Sequence, residues 1–190
     1  LSDIPFLFSV FLALLLITKL DAKHGMWMYV FLGAAIFFAF FIRTTGVILL
    51  PGFLAYQALL FLRERSSRRA VLQNSVIVAV NFILLWLVSS MIFPNGQGAY
   101  FRQLAGFTAE TFTKNVHDYF YLFAQFFTVS PAPEWIYIYY PLVVFFLVGA
   151  WTRRHADQML IIFFAFYFAV MVVWPEWQGI RFIFPLIPIF

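Results

Sequence analysis

Cysteine is absent from this 190-residue chain, and charged residues are scarce at 11%. The lack of cysteine excludes disulfide bonds, a thiolate nucleophile and cysteine-ligated metal sites. The three histidines, His24, His117 and His155, lie far apart and form no metal-ligand spacing. We therefore predict no cofactor, and the sequence leaves a divalent-metal requirement open.

Apolar residues take the place of the missing charges. They make up 64% of the chain, which includes 28 phenylalanines, and the mean hydropathy is +0.92. A small soluble domain leaves much of its surface in water and cannot hide this much apolar area. A lipid environment removes that constraint, so the composition indicates an integral membrane protein whose first partner is the lipid bilayer.

The apolar residues fall into separate runs of a length that favours helices crossing a membrane. Helices are expected because a spanning segment must satisfy its own backbone hydrogen bonds in lipid. We predict an all-α fold, a polytopic transmembrane helix bundle with about six full spans and one truncated span. The runs cover residues 4–20, 27–42, 46–62, 71–93, 135–151, 158–174 and 182 onward.

The two ends of the chain predict a piece of a longer protein. The first residue is leucine and no signal peptide precedes the first run. The last nine residues open an apolar run that stops short of the ~20 residues that a span needs. We expect residues 1–190 to form a single transmembrane domain cut from a larger one.

Basic residues predict the orientation of the bundle. Cytoplasmic loops of membrane proteins are enriched in lysine and arginine. Loops 18–26, 63–70 and 152–157 alternate along the chain and hold eight of the twelve basic residues, which indicates that they face the cytoplasm. These short clusters mark topology and not a nucleic-acid surface, so no nucleic-acid partner is predicted. The eight residues are Lys19, Lys23, Arg63, Arg65, Arg68, Arg69, Arg153 and Arg154.

One long connection, residues 94–134, lies on the opposite side in this topology. It contains an aromatic-rich stretch at about 108–128 with a few polar residues, typical of an interfacial or re-entrant helix. The alternative is an additional short span, which would invert the topology after it. The Arg153–Arg154 pair favours the first interpretation.

Two arginines flank apolar runs on the extracytoplasmic side. Arg43 separates two runs that are too long together for one span, so Arg43-Thr44-Thr45-Gly46 is predicted to be the tip of a hairpin. Arg181 precedes a run that contains two prolines. Each arginine either caps or anchors a helix end at the interface, or offers a fixed cation that holds a phosphate.

Four further polar residues are candidates for a site on the same side. Asp3 precedes the first run and has an alternative role as a helix N-cap. His117 and Asp118 lie in the 108–128 stretch, and Glu176 lies close to Arg181. Alternatively, His117 and Asp118 are solvated surface residues, and Glu176 forms an ion pair with Arg181.

Three segments resemble motifs of one enzyme family. Ser2-Asp3-Ile4-Pro5-Phe6 is similar to an S-D/E-x-x-F/L helix start, and FFAFFIRTTGVILLPG to an R-x-x-G-x-x-x-x-P hairpin. QGIRFIFPLIPIF is similar to an R-Y/F-x-x-P-x-x-P helix. In this order the segments resemble the polytopic glycosyltransferases of the C superfamily (GT-C), of the polyprenyl-phosphate-sugar-dependent mannosyltransferase or aminoarabinose-transferase type, and match the C-terminal part of their membrane domain.

The resemblance implies an activity and a place. It implies transfer of a sugar (hexosyl transfer) from a polyprenyl-phosphate donor to an acceptor outside the cytoplasm, at the bacterial inner membrane, in the metabolism of the cell envelope. It implies that Arg43 and Arg181 contact the donor phosphate and that the catalytic acidic residue lies upstream of Leu1. A lipid flippase or transporter, and a non-catalytic membrane subunit, remain the alternative functions.

Overall fold

The computed structural model describes residues 3–20, 25–63, 67–93, 108–126, 136–175 and 179–190. Every regular element in these ranges is helical, which confirms the all-α prediction. The described chain divides into two compact units, Leu1–Gly96 and Gln97–Phe190. Whether the two units form the single predicted transmembrane domain stays a prediction.

The described part of the first unit contains four α-helices. They are α1 (Asp3–Lys19), α2 (Met26–Ile42), α3 (Leu49–Arg63) and α4 (Arg68–Ile92), and a 3₁₀ helix, Thr44–Ile48, leads directly into α3. Asp3 in the first turn of α1 and Lys19 in its last turn both complement the helix dipole.

The helix α2 is the centre of the first unit, because it packs against α1, α4 and the 3₁₀ helix. Small buried residues along α2 permit this close packing. A side chain at Gly33 would meet the Val78 carbonyl oxygen and the Asn81 amide of α4 at 3.0 Å. Asn81 in turn donates a 2.6 Å hydrogen bond to the carbonyl oxygen of Val30. Small residues combined with an interhelical amide bond are typical of helices that associate in lipid.

The described residues of the second unit form three α-helices. They are α5 (Ala109–Leu122), α6 (Ile136–Thr152) and α7 (Gln158–Val173), with 3₁₀ helices at Phe123–Phe126 and Ile180–Ile183. Thr108 caps α5, since its side chain accepts a 3.1 Å bond from the amide of Thr111. The helix predicted at about 108–128 is therefore present, and its last four residues are 3₁₀ rather than α.

By length and composition, two described helices can cross a membrane: Thr44–Arg63 with 20 residues and Arg68–Ile92 with 25. Other apolar helices match the predicted runs to within a few residues but are shorter, with 16 or 17 residues. At 1.5 Å per residue, such a helix reaches about 25 Å, less than the ~30 Å hydrocarbon core of a bilayer. The predicted count of about six full spans is therefore a proposal, taken up below.

Large apolar side chains point outward from helices of both units. In α4, Leu72, Leu84 and Met91 are 59%, 55% and 82% exposed, and in α6 Phe145 is 72% exposed. Soluble monomers rarely expose contiguous apolar surface on this scale, and such surfaces mark contact with a membrane or another protein.

Candidate functional site

The candidate site of the first unit is a corner between α2 and the 3₁₀ helix, and Arg43 is the corner residue. Its amide donates a 3.1 Å bond to the carbonyl oxygen of Ala39, which ends α2. Its backbone is extended, with φ −145° and ψ 133°, and the next residue, Thr44, begins the 3₁₀ helix. The chain therefore changes direction at Arg43, as the sequence predicted for the tip of a hairpin.

Gly46 makes this corner possible. A Cβ atom at Gly46 would lie 2.4 Å from the carbonyl carbon of Ala39, a distance that no side chain tolerates. The Gly46 amide donates a 2.8 Å bond to the carbonyl oxygen of Arg43, which closes the turn. A glycine is therefore required three residues after Arg43, because the backbone at Gly46 lies against the backbone of Ala39 in α2.

The Arg43 side chain forms an ion pair with Asp3. The contact joins Nη2 of Arg43 to Oδ1 of Asp3, and the two side chains are 18% and 22% exposed. Asp3 Oδ1 is buried and the contact is ionic rather than an aligned hydrogen bond. Two of the residues singled out from the sequence, in different motifs, therefore meet in the structure.

Other groups complete the surroundings of Arg43. The guanidinium carbon lies 5.6 Å from the ring centroid of Phe6, a cation–π contact that holds it over the buried face of α1. Thr45 contributes a hydroxyl oxygen that is buried and has no hydrogen-bond partner among the described residues. A buried hydroxyl without a partner is uncommon in native proteins. The corner thus contains the Arg43 guanidinium and a buried Thr45 hydroxyl that lacks a hydrogen-bond partner among the described residues.

A second polar group lies on α5. The Nδ1 atom of His117 is 3.2 Å from Oδ1 of Asp118, and the His117 ring lies 4.8 Å from that of Tyr121. The hydroxyl of Tyr121 is 2.9 Å from that of Tyr140 on α6. The His117 side chain is 70% exposed, so a solvent-borne acceptor can contact it. The sequence did not indicate that the two tyrosines belong to this group. The one hint is the spacing of four residues between His117 and Tyr121, which places them on the same face of a helix.

Sequence reasoning missed Asn115, which fixes α5 to the end of α7. Asn115 is 4% exposed, and its amide donates to the carbonyl oxygens of Val172 at 3.1 Å and Trp174 at 2.7 Å. The last carbonyl groups of a helix lack partners within the helix. One buried amide therefore satisfies two of these groups and places α5 across the extracytoplasmic end of α7 in the predicted topology.

The remaining site residues stay predictions. Arg181 lies in the 3₁₀ helix Ile180–Ile183, in the second compact unit, whereas Arg43 lies in the first. The convergence of the two arginines on one donor phosphate is therefore untested. Glu176 lies outside the described residues. No group of three or more metal-ligating side chains occurs within the part of the chain that the structure describes.

Comparison with known proteins identifies no similar protein. No protein-family model, curated protein or solved structure matches the chain.

Proposed function

We propose that this chain is part of a polytopic membrane glycosyltransferase that uses a polyprenyl-phosphate sugar donor. The observation that carries the proposal is the contact of Asp3 with Arg43. These residues come from two separate segments that resemble GT-C motifs, and a shared site requires them to lie together. The proposal places the protein in the bacterial inner membrane with its active face extracytoplasmic.

Membrane insertion is supported by the outward-facing apolar side chains of both units and by the two long apolar helices. The shorter helices complete their spans by locally thinning the bilayer and by placing flanking basic and aromatic side chains at the interface. Lys19 at the end of α1 and Trp151 at the end of α6 are suited to that role.

The chemistry at Arg43 is charge stabilisation. The leaving group of a polyprenyl-phosphate sugar is a lipid phosphate that is already anionic, so its departure depends on fixed cations more than on protonation. A guanidinium has five N–H donors, and Asp3 contacts one end of it. In the proposal the donor phosphate contacts this guanidinium, with the Thr45 hydroxyl as a further donor, and the contact of Arg181 with the same phosphate stays a prediction.

The acceptor side needs a base that removes the proton of the attacking hydroxyl. The resemblance places that base upstream of Leu1. Asp3, His117, Asp118 and Glu176 are proposed to orient the acceptor or the sugar, since each lies on the extracytoplasmic side in the predicted topology.

Binding of a polyprenyl phosphate to the full chain in lipid nanodiscs tests the proposal. Arg43→Ala should weaken binding at least tenfold, since a charge-assisted bond is worth about 1.5–3 kcal/mol. Arg43→Lys should retain part of the affinity because it keeps the charge and loses the bidentate geometry. The matched control is Arg69→Ala in the first turn of α4, which removes a cation on the opposite side and should leave binding unchanged.

The ion pair also favours a second candidate, a non-catalytic membrane subunit in which Arg43 and Asp3 only join α1 to α2. In that case Arg43→Ala lowers stability and leaves lipid-phosphate binding unchanged. Equal binding by the wild type, Arg43→Ala and Arg69→Ala would therefore reject the glycosyltransferase proposal and leave the subunit.

A further inference from the structure

An apolar cleft of about 800 Å³ opens between α6 and α7 in the second unit. The backbones of these helices do not pack closely along their described length. The walls of the cleft include Leu142, Phe145, Leu160 and Phe168. Its volume is within the range of ligand clefts.

Aromatic rings close the cleft at one end. The Phe146 ring lies 4.9 Å from those of Phe164 and Phe190, and Phe190 also lies 5.0 Å from Phe123. These four side chains are all phenylalanines. The closed end therefore suits the apolar end of a ligand.

Charged side chains stand at the other end of the cleft. Arg153 and Asp157 are the only polar residues among the described lining residues. Nε of Arg153 donates to Oδ2 of Asp157, and this bond raises the pKa of the guanidinium, which stays charged. Arg154, beside them, is exposed, and its guanidinium carbon lies 4.5 Å from the Trp151 ring centroid. Two guanidinium groups against one carboxylate leave this end positive.

The length of the cleft matches half of a bilayer. Its lining runs from Leu142 to Arg153 on α6 and from Phe168 to Asp157 on α7. At 1.5 Å per residue each wall is about 16 Å long, and one leaflet of a ~30 Å hydrocarbon core is about 15 Å thick. A chain that starts at the headgroup level beside Arg153 would thus end at the bilayer midplane, beside the aromatic cluster.

We infer that this cleft binds a glycerophospholipid of the cytoplasmic leaflet, with its acyl chains between α6 and α7 and its phosphate at Arg153 and Arg154. Apolar walls of leaflet length select acyl chains, and the positive end selects the phosphate. The inference rests on the membrane placement in the proposed function but not on sugar transfer, and it concerns the loop 152–157 that the sequence assigns to the cytoplasm.

Gly149 offers a way to fill the cleft without disturbing its walls. A Cβ atom at Gly149 would meet no atom within 4 Å, although the residue lines the cleft. Gly149→Phe should therefore fold and occupy the space of the acyl chains. Val148→Phe is the matched control, since Val148 is 55% exposed and does not line the cleft.

The test uses the full chain in phosphatidylcholine vesicles that contain a small share of phosphatidylglycerol with a photoactivatable acyl chain. Cross-linked peptides are identified by mass spectrometry. In the wild type, cross-links should concentrate on Leu160 and Phe164. Gly149→Phe should reduce them several-fold, and Val148→Phe should leave them unchanged. Equal labelling of the three proteins, or labelling spread evenly over all helices, would overturn the inference.

A second arm tests the headgroup. Replacing both Arg153 and Arg154 by Gln should lower cross-linking several-fold, while polyprenyl-phosphate binding through Arg43 in the same vesicles stays unchanged. Undiminished cross-linking in the double variant would overturn the phosphate contact. Loss of polyprenyl-phosphate binding in the wild type, with normal cleft labelling, would reject the glycosyltransferase proposal alone. Flotation of the vesicles reports insertion separately, and failure there would reject both.

Discussion

The two compact units hold their helices together in different ways. In the first unit, small residues bring backbones into contact, with Gly33 against α4 and Gly46 against the end of α2. In the second unit, polar side chains join the elements: Asn115 binds the end of α7, and the Tyr139 hydroxyl donates to the carbonyl oxygen of Phe120. The first arrangement brings the backbone of α2 close to α4 and to the 3₁₀ helix, whereas the second leaves a cleft between α6 and α7. Close backbone packing thus builds a rigid corner for Arg43, and side-chain bonding leaves room for a lipid.

The largest effect is expected at Gly46. Gly46→Ala places a methyl group 2.4 Å from the carbonyl carbon of Ala39, so the backbone must move. We expect a loss of about 3 kcal/mol or more in the free energy of unfolding. Unfolding in mixed detergent micelles measures it. Gly25→Ala is the control, because a Cβ there meets nothing within 4 Å. Equal stability of the two variants would contradict the packing described for the first unit.

Asn115 should give the next largest effect, confined to the second unit. Asn115→Leu leaves two carbonyl groups at the end of α7 without their donor. A buried group left unsatisfied costs about 1–3 kcal/mol, and since the bond to Trp174 is only part-buried we expect a loss of about 2–4 kcal/mol. Hydrogen exchange should show faster exchange in α5 and α7 and unchanged exchange in α2. Thr113→Ala, an exposed change on the same helix, is the control. Faster exchange in α2 as well would show that the two units unfold together.

Asp3→Asn separates the two roles of the ion pair. Removal of one partner of a half-buried pair should cost about 1 kcal/mol, between the values for exposed and buried pairs. It also removes a negative charge beside the proposed phosphate site, so polyprenyl-phosphate binding should tighten by a few-fold. Weaker binding, measured in nanodiscs, would mean that Asp3 mainly positions Arg43.

Gly33→Ala should have the smallest effect. The new methyl group would lie 3.0 Å from the Val78 carbonyl oxygen, so α4 must shift by a few tenths of an ångström. Alanine favours a helix over glycine by about 1 kcal/mol, which offsets most of that cost. We expect a change below ~1 kcal/mol in unfolding measurements. A loss as large as that of Gly46→Ala would show that the contact of α2 with α4 is as tight as the corner.

Much of the helical layout could be predicted from the sequence. Six of the seven apolar runs gave the positions of helices to within a few residues, and the stretch predicted at about 108–128 matched α5 and its 3₁₀ extension. The truncated span predicted from residue 182 onward was wrong, because the chain there forms the 3₁₀ helix Ile180–Ile183 followed by turns. Arg43 was placed at a turn because the two runs around it are too long for one span. These predictions use length and composition along the chain, which need no tertiary information.

The contacts between elements could not be predicted. Helices that are apolar on all sides carry no periodicity that shows which face packs inward. The ion pair of Asp3 with Arg43 therefore appeared only as two residues expected on the same side. Asn115 lies in the aromatic stretch at about 108–128, and nothing in its neighbours pointed to the end of α7. The cleft between α6 and α7 depends on the distance between these two helices. The residues of either helix alone do not predict that distance.

Membrane topology tests the central claim most directly, and the lack of cysteine makes the measurement clean. Single cysteines at Gly25, Ser67 and Ala156 would lie in the three loops assigned to the cytoplasm, and those at Thr44 and Thr108 on the other side. We predict that a membrane-impermeant maleimide applied to intact cells labels only the last two, and that all five react after permeabilisation. Labelling of Ser67 or Ala156 in intact cells, or equal labelling of all five, would contradict the proposed membrane bundle.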